Sequence, residues 1–272
     1  MINSFAIVIT THKRVLNDFE LKNLKIISYH HPSIEKFIVL PQTLDTFFYR
    51  KNLKNYKIIR FNNFFFKTWN NIQKLHLSEI LYQKFNKYQY ILLTQPDGVL
   101  VKNIFHLNIN SYDYLGSPSK YALPKFSSFY NYNLEEKENI LLKKSITKDF
   151  LKKTFFFSTI KKILLKINNF KKKNNAIGIS GGISLRRVRK FIEICKEIPY
   201  RNSINAPEDH IFSYFVNIKK LKSPSFSQLE KIFAERNATH NVYGYHKLYY
   251  YNPTHQEKIF QKYKKIFLRK IL

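Results

Sequence analysis

Cysteine is almost absent: 272 residues hold one, Cys195, within the apolar run FIEICKEI. That excludes a disulfide framework and a zinc site built from cysteines, and Cys195 reads as a buried residue on a helix face. No apolar run approaches the roughly 20 residues that cross a bilayer. The opening MINSFAIVITTHKR has neither a basic leader nor a long apolar core, so no signal peptide is expected and the chain is expected to stay in the cytoplasm. Acids are scarce as well, 18 Asp and Glu against 47 Lys and Arg, for a formal net charge of +29. Part of that excess reflects a vocabulary heavy in Lys, Asn, Ile, Phe and Tyr, as an AT-rich genome would encode. The rest points to a polyanionic partner: nucleic acid, anionic lipid or a phosphorylated substrate. Internal repeats and a low-complexity linker that would split the chain are both missing. What the chain does have is apolar mass: 44% hydrophobic and 17% aromatic residues are ample for a sizeable core.

That mass is arranged in short continuous runs. SFAIVITTHK (4–13), EKFIVLP (35–41), YKIIRF (56–61) and YQYILLTQPD (88–97) read as strands. NDFELKNLKIISYHH, with apolar residues at 19, 21, 24, 26 and 27, has helical spacing. TWNNIQKLHLSEILYQKFNKY (68–88) predicts one longer helix with Ile72, Leu75, Leu77, Ile80, Leu81 and Phe85 inward. Apolar, non-alternating strands separated by helices argue an α/β fold on a mostly parallel central sheet flanked by helices. Further on, residues 141–173 carry eleven lysines and one acid, which suggests a basic helical insertion. NNAIGISGGISLRRVRKFIEI packs three of the six glycines into positions 178–182 and leads into a helix from about 186 to 197. NSINAPEDHIFSYFV opens another helix with Glu208 and Asp209 in its first turn, where carboxylates suit the helix dipole. The last stretch, HQEKIFQKYKKIFLRKIL, sets Ile259, Phe260, Tyr263, Ile266, Phe267 and Ile271 on one side, with six Lys and Arg around them.

In open α/β sheets ligands gather outside the carboxyl ends of strands, and Thr10–His12 and Gln95–Asp97 both fall at such ends. Asp97 is a rare acid between a proline and a glycine; it reads either as a ligand-facing carboxylate or as the middle of a common turn triplet. A divalent cation holding a diphosphate needs hard oxygen ligands, an imidazole at most, and open positions. Asp97 and His246, from VYGYHK, would supply two such ligands if the fold brings them together. A hydroxyl nucleophile needs a carboxylate base within reach, and Glu208 and Asp209 are the best-placed pair; they equally suit a plain helix start. The glycine loop Gly178/Gly181/Gly182 would admit a ligand close to the backbone, although it lacks the spacing of a phosphate-binding fingerprint.

The order YQKFNKYQYILLTQPDGVLVKNIFHLNINSYDYLGSPS, GGISLRRVRKF, PEDHIFSYFV, IFAERN and VYGYHK resembles a widespread, mostly bacterial family. That family is known only as a glycosyltransferase-like domain of unknown function. The resemblance runs from about residue 5 to 248, skips 121–174, and is most specific over 79–118 and 176–212. More loosely, the chain is similar to metal-dependent, inverting galactosyltransferases of the GT-A fold. The resemblance implies a GT-A-like (Rossmann-like) domain over 1–252, with the basic insertion at about 121–174, followed by a basic amphipathic helix over 253–272.

It also implies roles. Asp97 would stand for the last aspartate of an Asp-x-Asp motif and bind Mn2+ or Mg2+, with Gln95 neutral at the first position and His246 completing the metal site. Thr10, Thr11 and His12 would lie near the base and ribose of the nucleotide. Gly181, Gly182 and Ser184 would line donor sugar and acceptor. Asp209 would be the general base and Glu208 would orient the acceptor. Ser119 stands where relatives place a tryptophan. The implied activity is transfer of a sugar from a nucleotide-sugar, a UDP-sugar for preference, to a surface glycan or glycolipid such as lipooligosaccharide or capsule, by single displacement with inversion. The lysine-rich segments would hold the enzyme on the anionic inner face of the cytoplasmic membrane. Two other classes compete. A nucleic-acid-binding protein would use the charge, but the aromatics fall in apolar runs such as FNNFFFKTW rather than on a stacking platform. A scaffold of the same fold without chemistry would account for Gln95.

Overall fold

The computed structural model describes residues 4–107, 109–119, 177–198, 207–235 and 241–268. The basic segment at about 121–174 and Ile271 lie outside these residues. In chain order the first half gives β1 (Phe5–Thr10), α1 (Asp18–His30), β2 (Glu35–Pro41), α2 (Phe47–Asn52), β3 (Tyr56–Phe61), α3 (Trp69–His76), α4 (Glu79–Gln83), β4 (Tyr90–Thr94), β5 (Gly98–Leu100) and β6 (Tyr114–Pro118). Then follow β7 (Ile179–Arg187), α5 (Val188–Glu197), α6 (Glu208–Asn217), α7 (Phe226–Leu229), β8 (Phe233–Glu235), β9 (Gly244–His246), α8 (Leu248–Tyr251), α9 (Pro253–Lys262) and α10 (Lys264–Leu268).

The fold is mixed α/β. Six strands in the order β3-β2-β1-β4-β7-β6 form the central sheet. β3, β2, β1 and β4 run parallel, and β7 runs antiparallel to both β4 and β6. Every residue of β1 and β4 is buried, as a parallel strand covered on both faces requires. A three-stranded sheet, β5-β9-β8, stands beside it.

α1 begins with a capping box, Asn17 and Glu20 exchanging backbone and side-chain hydrogen bonds, and buries Leu24, Ile26 and Ile27. The single helix expected over 68–88 is instead two short ones, α3 and α4. Ser78 between them is extended, and the Tyr82 hydroxyl donates to the His76 carbonyl across the break (2.7 Å). The break lets Leu75, Leu77, Leu81 and Phe85 all bury, while Ile80 turns outward.

The C-terminal segment packs onto the small sheet. Ile259, Phe260 and Tyr263 join Ile26, Val99, Val242, Tyr245 and Leu248 in a second apolar cluster. Beneath it runs a buried polar relay. Gln256 Nε2 donates to Asn23 Oδ1 (2.9 Å), and Asn23 Nδ2 donates to the Pro96 carbonyl (3.2 Å), so α9 backs the turn that carries Asp97. The lysines of this segment, Lys258, Lys262, Lys264 and Lys265, face solvent.

Candidate active site

The turn after β4 is tight. Gly98 N–H donates to the Gln95 carbonyl (3.0 Å), and a Cβ on Gly98 would lie 2.1 Å from Thr94 Oγ1, so only glycine fits. β5 then pairs antiparallel with β9, setting Gly98 opposite His246. As a result Asp97 Oδ1 and His246 Nε2 face each other at 3.4 Å, although 149 positions separate them in the numbering of the chain. On the other side, parallel pairing of β8 with β9 sets Glu235 beside His246, with Glu235 Oε1 at 3.5 Å from Nδ1.

The imidazole is 2% exposed and neither nitrogen makes a well-formed hydrogen bond; Asp97 Oδ1 has no hydrogen-bond partner either. Burial disfavours the imidazolium, but the two facing carboxylates outweigh it and raise the His246 pKa. Burial likewise opposes ionisation of Asp97 and Glu235, and His246 and then Lys247, with the Ser180 hydroxyl also assisting Glu235, keep both below their ordinary values. Lys247 itself sits in the left-handed region (φ 56°), directly after the histidine.

The glycine pair is not in a loop. Gly181 and Gly182 lie inside β7, and between Ser180 and Ser184 that strand carries extra residues that β6 does not match, a β-bulge. Each glycine makes room for a side chain. A Cβ on Gly182 would sit 1.9 Å from His246 Cε1, and one on Gly181 would sit 2.2 Å from Glu208 Oε1. The bulge is therefore the wall between the imidazole on one side and the acidic pair on the other.

Glu208 and Asp209 open α6. Glu208 is 5% exposed, and Oε1 meets His76 Nδ1 (3.3 Å) and accepts from Arg186 (3.2 Å). Arg186, fully buried, also donates to the Tyr82 hydroxyl (2.7 Å) and Ser184 Oγ (2.9 Å). Its guanidinium stands over the rings of Phe212, Phe191 and Tyr114 at 5.2 to 5.8 Å. Burial would push the Glu208 carboxyl up; His76 and Arg186 reverse that and hold it low. Asp209 behaves oppositely. Its side chain is 23% exposed, and burial, the Glu208 charge and more distantly Glu235 raise its pKa well above the ordinary 3.8. Two adjacent carboxylates thus differ in proton affinity because one is paired with Arg186 and the other is largely buried beside that first charge.

Several expected positions move. Glu208, expected at the acceptor, is turned into the protein by its ion pair with Arg186 and its contact with His76. Ser184 is 0% exposed and bound to Arg186, so it lines no ligand surface. Gly181 and Gly182 face Glu208 and His246 rather than open space. Thr10 and Thr11 are buried at the end of β1, Thr10 Oγ1 at 3.3 Å from His76 Nε2 and Thr11 Oγ1 accepting from Lys13 N–H (3.2 Å). His12 is exposed beside them and Gln95 is half-buried. His76, Arg186 and Glu235 escaped the sequence reading. Glu235 did have a signal, an acid in an acid-poor chain, the same one that Asp97 gave.

The donor set suits a divalent cation in part. Asp97 Oδ1 and His246 Nε2 are a hard oxygen and an imidazole nitrogen, both lacking a hydrogen-bond partner and facing one another. Among the described residues no three His, Cys, Asp or Glu side chains form a ready cage. An ion held here would share its remaining positions with phosphate and water. Also among the described residues, no helix is long and apolar enough to cross a membrane.

Solved structures similar to this chain are glycosyltransferases. The galactosyltransferase LgtC, in complex with donor and acceptor sugar analogues, is 11% identical, with 77% of this chain and 70% of that one covered and a TM-score of 0.41. The bifunctional glycosyltransferase WbbM is 12% identical over 78% of this chain and 37% of that one, TM-score 0.43. Mouse xyloside xylosyltransferase 1 is 10% identical over 90% and 97%, TM-score 0.39. No curated protein sequence matches. Residues 55–248 match the family model described as protein of unknown function (DUF5672), and the chain belongs to that family.

Proposed function

We propose that this protein is a nucleotide-sugar-dependent glycosyltransferase whose acceptor is a hydroxyl of a surface glycan or glycolipid. One observation carries the reading: Asp97, His246 and the Glu208–Asp209 pair, far apart in sequence, meet around one bulge at the carboxyl end of β4. Asp97 and His246 would hold Mn2+ or Mg2+ against the diphosphate of the donor, a UDP-sugar for preference. Such an ion, when bound, takes up negative charge on the departing phosphate. We assign the base and ribose to the end of β1, where His12 is exposed beside the buried Thr10 and Thr11.

Asp209 has the properties of a general base. It is partly exposed, and its raised pKa lets it accept a proton near neutral pH. The acceptor oxygen bonds to the anomeric carbon, its proton passes to the Asp209 carboxylate, and the bond to the phosphate oxygen breaks with its electron pair on the nucleoside diphosphate. Attack from the face opposite the leaving group inverts the anomeric centre. Glu208 acts from behind, fixing the start of α6. A thermal-shift screen with UDP-, GDP-, CMP- and dTDP-sugars, with and without Mn2+, selects the donor for turnover assays. Asp209→Asn is expected to lower turnover by about 10^2 to 10^4 with donor binding retained. Because the base acts ionised and its pKa is raised, the parent rate should climb as pH rises toward neutrality and fall below it. Donor binding without turnover in the parent protein would favour the inactive scaffold; a melting shift with RNA alone would favour the nucleic-acid reading.

We also propose an electrostatic hold on the anionic inner membrane surface. The apolar side of α9 is used internally, so attachment would rest on charge, that of the lysine-rich 141–173 together with Lys258, Lys262, Lys264 and Lys265, at about 1 kcal/mol per lysine near the surface. Changing these four to glutamate should release the protein from phosphatidylserine vesicles in sedimentation, and salt should do the same to the parent. Binding that is indifferent to both would remove this role.

A further inference from the structure

The small sheet aligns three side chains in register across three strands: Asp97 just ahead of Gly98 on β5, His246 on β9, Glu235 on β8. His246 lies between the two carboxylates, Nε2 toward Asp97 (3.4 Å) and Nδ1 toward Glu235 (3.5 Å). Because they flank opposite edges of one ring, a single ion cannot be shared by both acids and the imidazole. The ring is held in place by Gly182, whose absent side chain leaves the space it fills. Orientation is thus set by packing, and what remains open is which nitrogen carries the proton. A carboxylate behind one nitrogen of a metal-binding histidine settles that choice and strengthens the other nitrogen as a donor.

We infer that Glu235 is a positioning residue: its carboxylate, facing Nδ1 at 3.5 Å, would accept the Nδ1–H of His246 when a divalent cation is bound and so present the Nε2 lone pair toward Asp97. This rests on the cation role given to Asp97 and His246 above. The three-residue β8, paired parallel with β9, delivers this carboxylate to the ring edge.

The test measures Mn2+ binding by electron paramagnetic resonance and titration calorimetry on the full chain, with and without UDP. Glu235→Ala is expected to weaken Mn2+ by about 10- to 100-fold. Glu235→Gln, whose amide oxygen still accepts from Nδ1–H, is expected to stay within a few-fold of the parent. A merely structural role would not separate the two variants in this way when both melt like the parent. If the parent binds Mn2+, Asp97→Ala does not, and Glu235→Ala matches the parent, the positioning role is overturned while the cation reading stands. A Gln variant as weak as Ala also overturns it, because charge rather than orientation would then matter. A parent that binds no Mn2+ overturns both.

Discussion

Asp97→Ala should abolish binding of UDP–Mn2+ in titration calorimetry while the protein still melts close to the parent temperature. Loss of an outer hydrogen-bond partner of a metal ligand weakens binding by about 10- to 100-fold, so loss of a charged ligand itself should exceed the upper end. The fold has little stake in this carboxylate. Oδ1 makes no hydrogen bond, and the turn around it is held by Gly98 and by Asn23 at the neighbouring carbonyl. β5 itself, Gly98–Leu100, carries no acid that could take over. Unchanged UDP–Mn2+ affinity in the variant would remove the cation site and, with it, the account of the leaving group.

Glu208→Ala should do the reverse, melting far below the parent. Its carboxylate is the only acid that the fully buried Arg186 reaches among the described residues, and His76 leans on the same oxygen. Removing one partner of a buried ion pair leaves an uncompensated charge and costs about 3–5 kcal/mol. For a chain of this size that is a fall on the order of 10 °C. The neighbouring Asp209→Asn should leave the melting temperature nearly unchanged, since Asp209 bonds chiefly to the backbone of its own helix start. Differential scanning calorimetry of the two variants separates the structural carboxylate from the reactive one. Equal melting temperatures would show that the buried network is not held by Glu208.

The parallel half of the sheet could be read from residues because β1 and β4 are buried on both faces and carry unbroken apolar runs. Asp97 and His246 could be singled out as residue types suited to cations, but that they meet was implied only by the family resemblance. Other features left no local trace. Arg186 is an arginine in a run of basic residues, and only its three-dimensional neighbours, Tyr82, Ser184 and Glu208, reveal it as buried. The glycine pair has the composition of a loop, and whether such glycines bend a chain or admit a side chain depends on what packs opposite; here Glu208 and His246 do. The break at Ser78 follows from tertiary packing, with the Tyr82 hydroxyl bonded to the His76 carbonyl, rather than from helix propensity. The three-residue β8 is too short for any alternation to show.

The relay from Gln256 through Asn23 to the Pro96 carbonyl has a consequence for how the molecule is made. Gln256 and Asn23 lie 233 positions apart, and a protein is synthesised from its first residue onward. Strands β1 to β4 can pair while translation continues, and Asn23 can then reach the Pro96 carbonyl, yet Asn23 gains its Gln256 partner only after residue 256 has left the ribosome. In nascent chains the turn bearing Asp97 would therefore lack the backing of α9 until that helix has emerged.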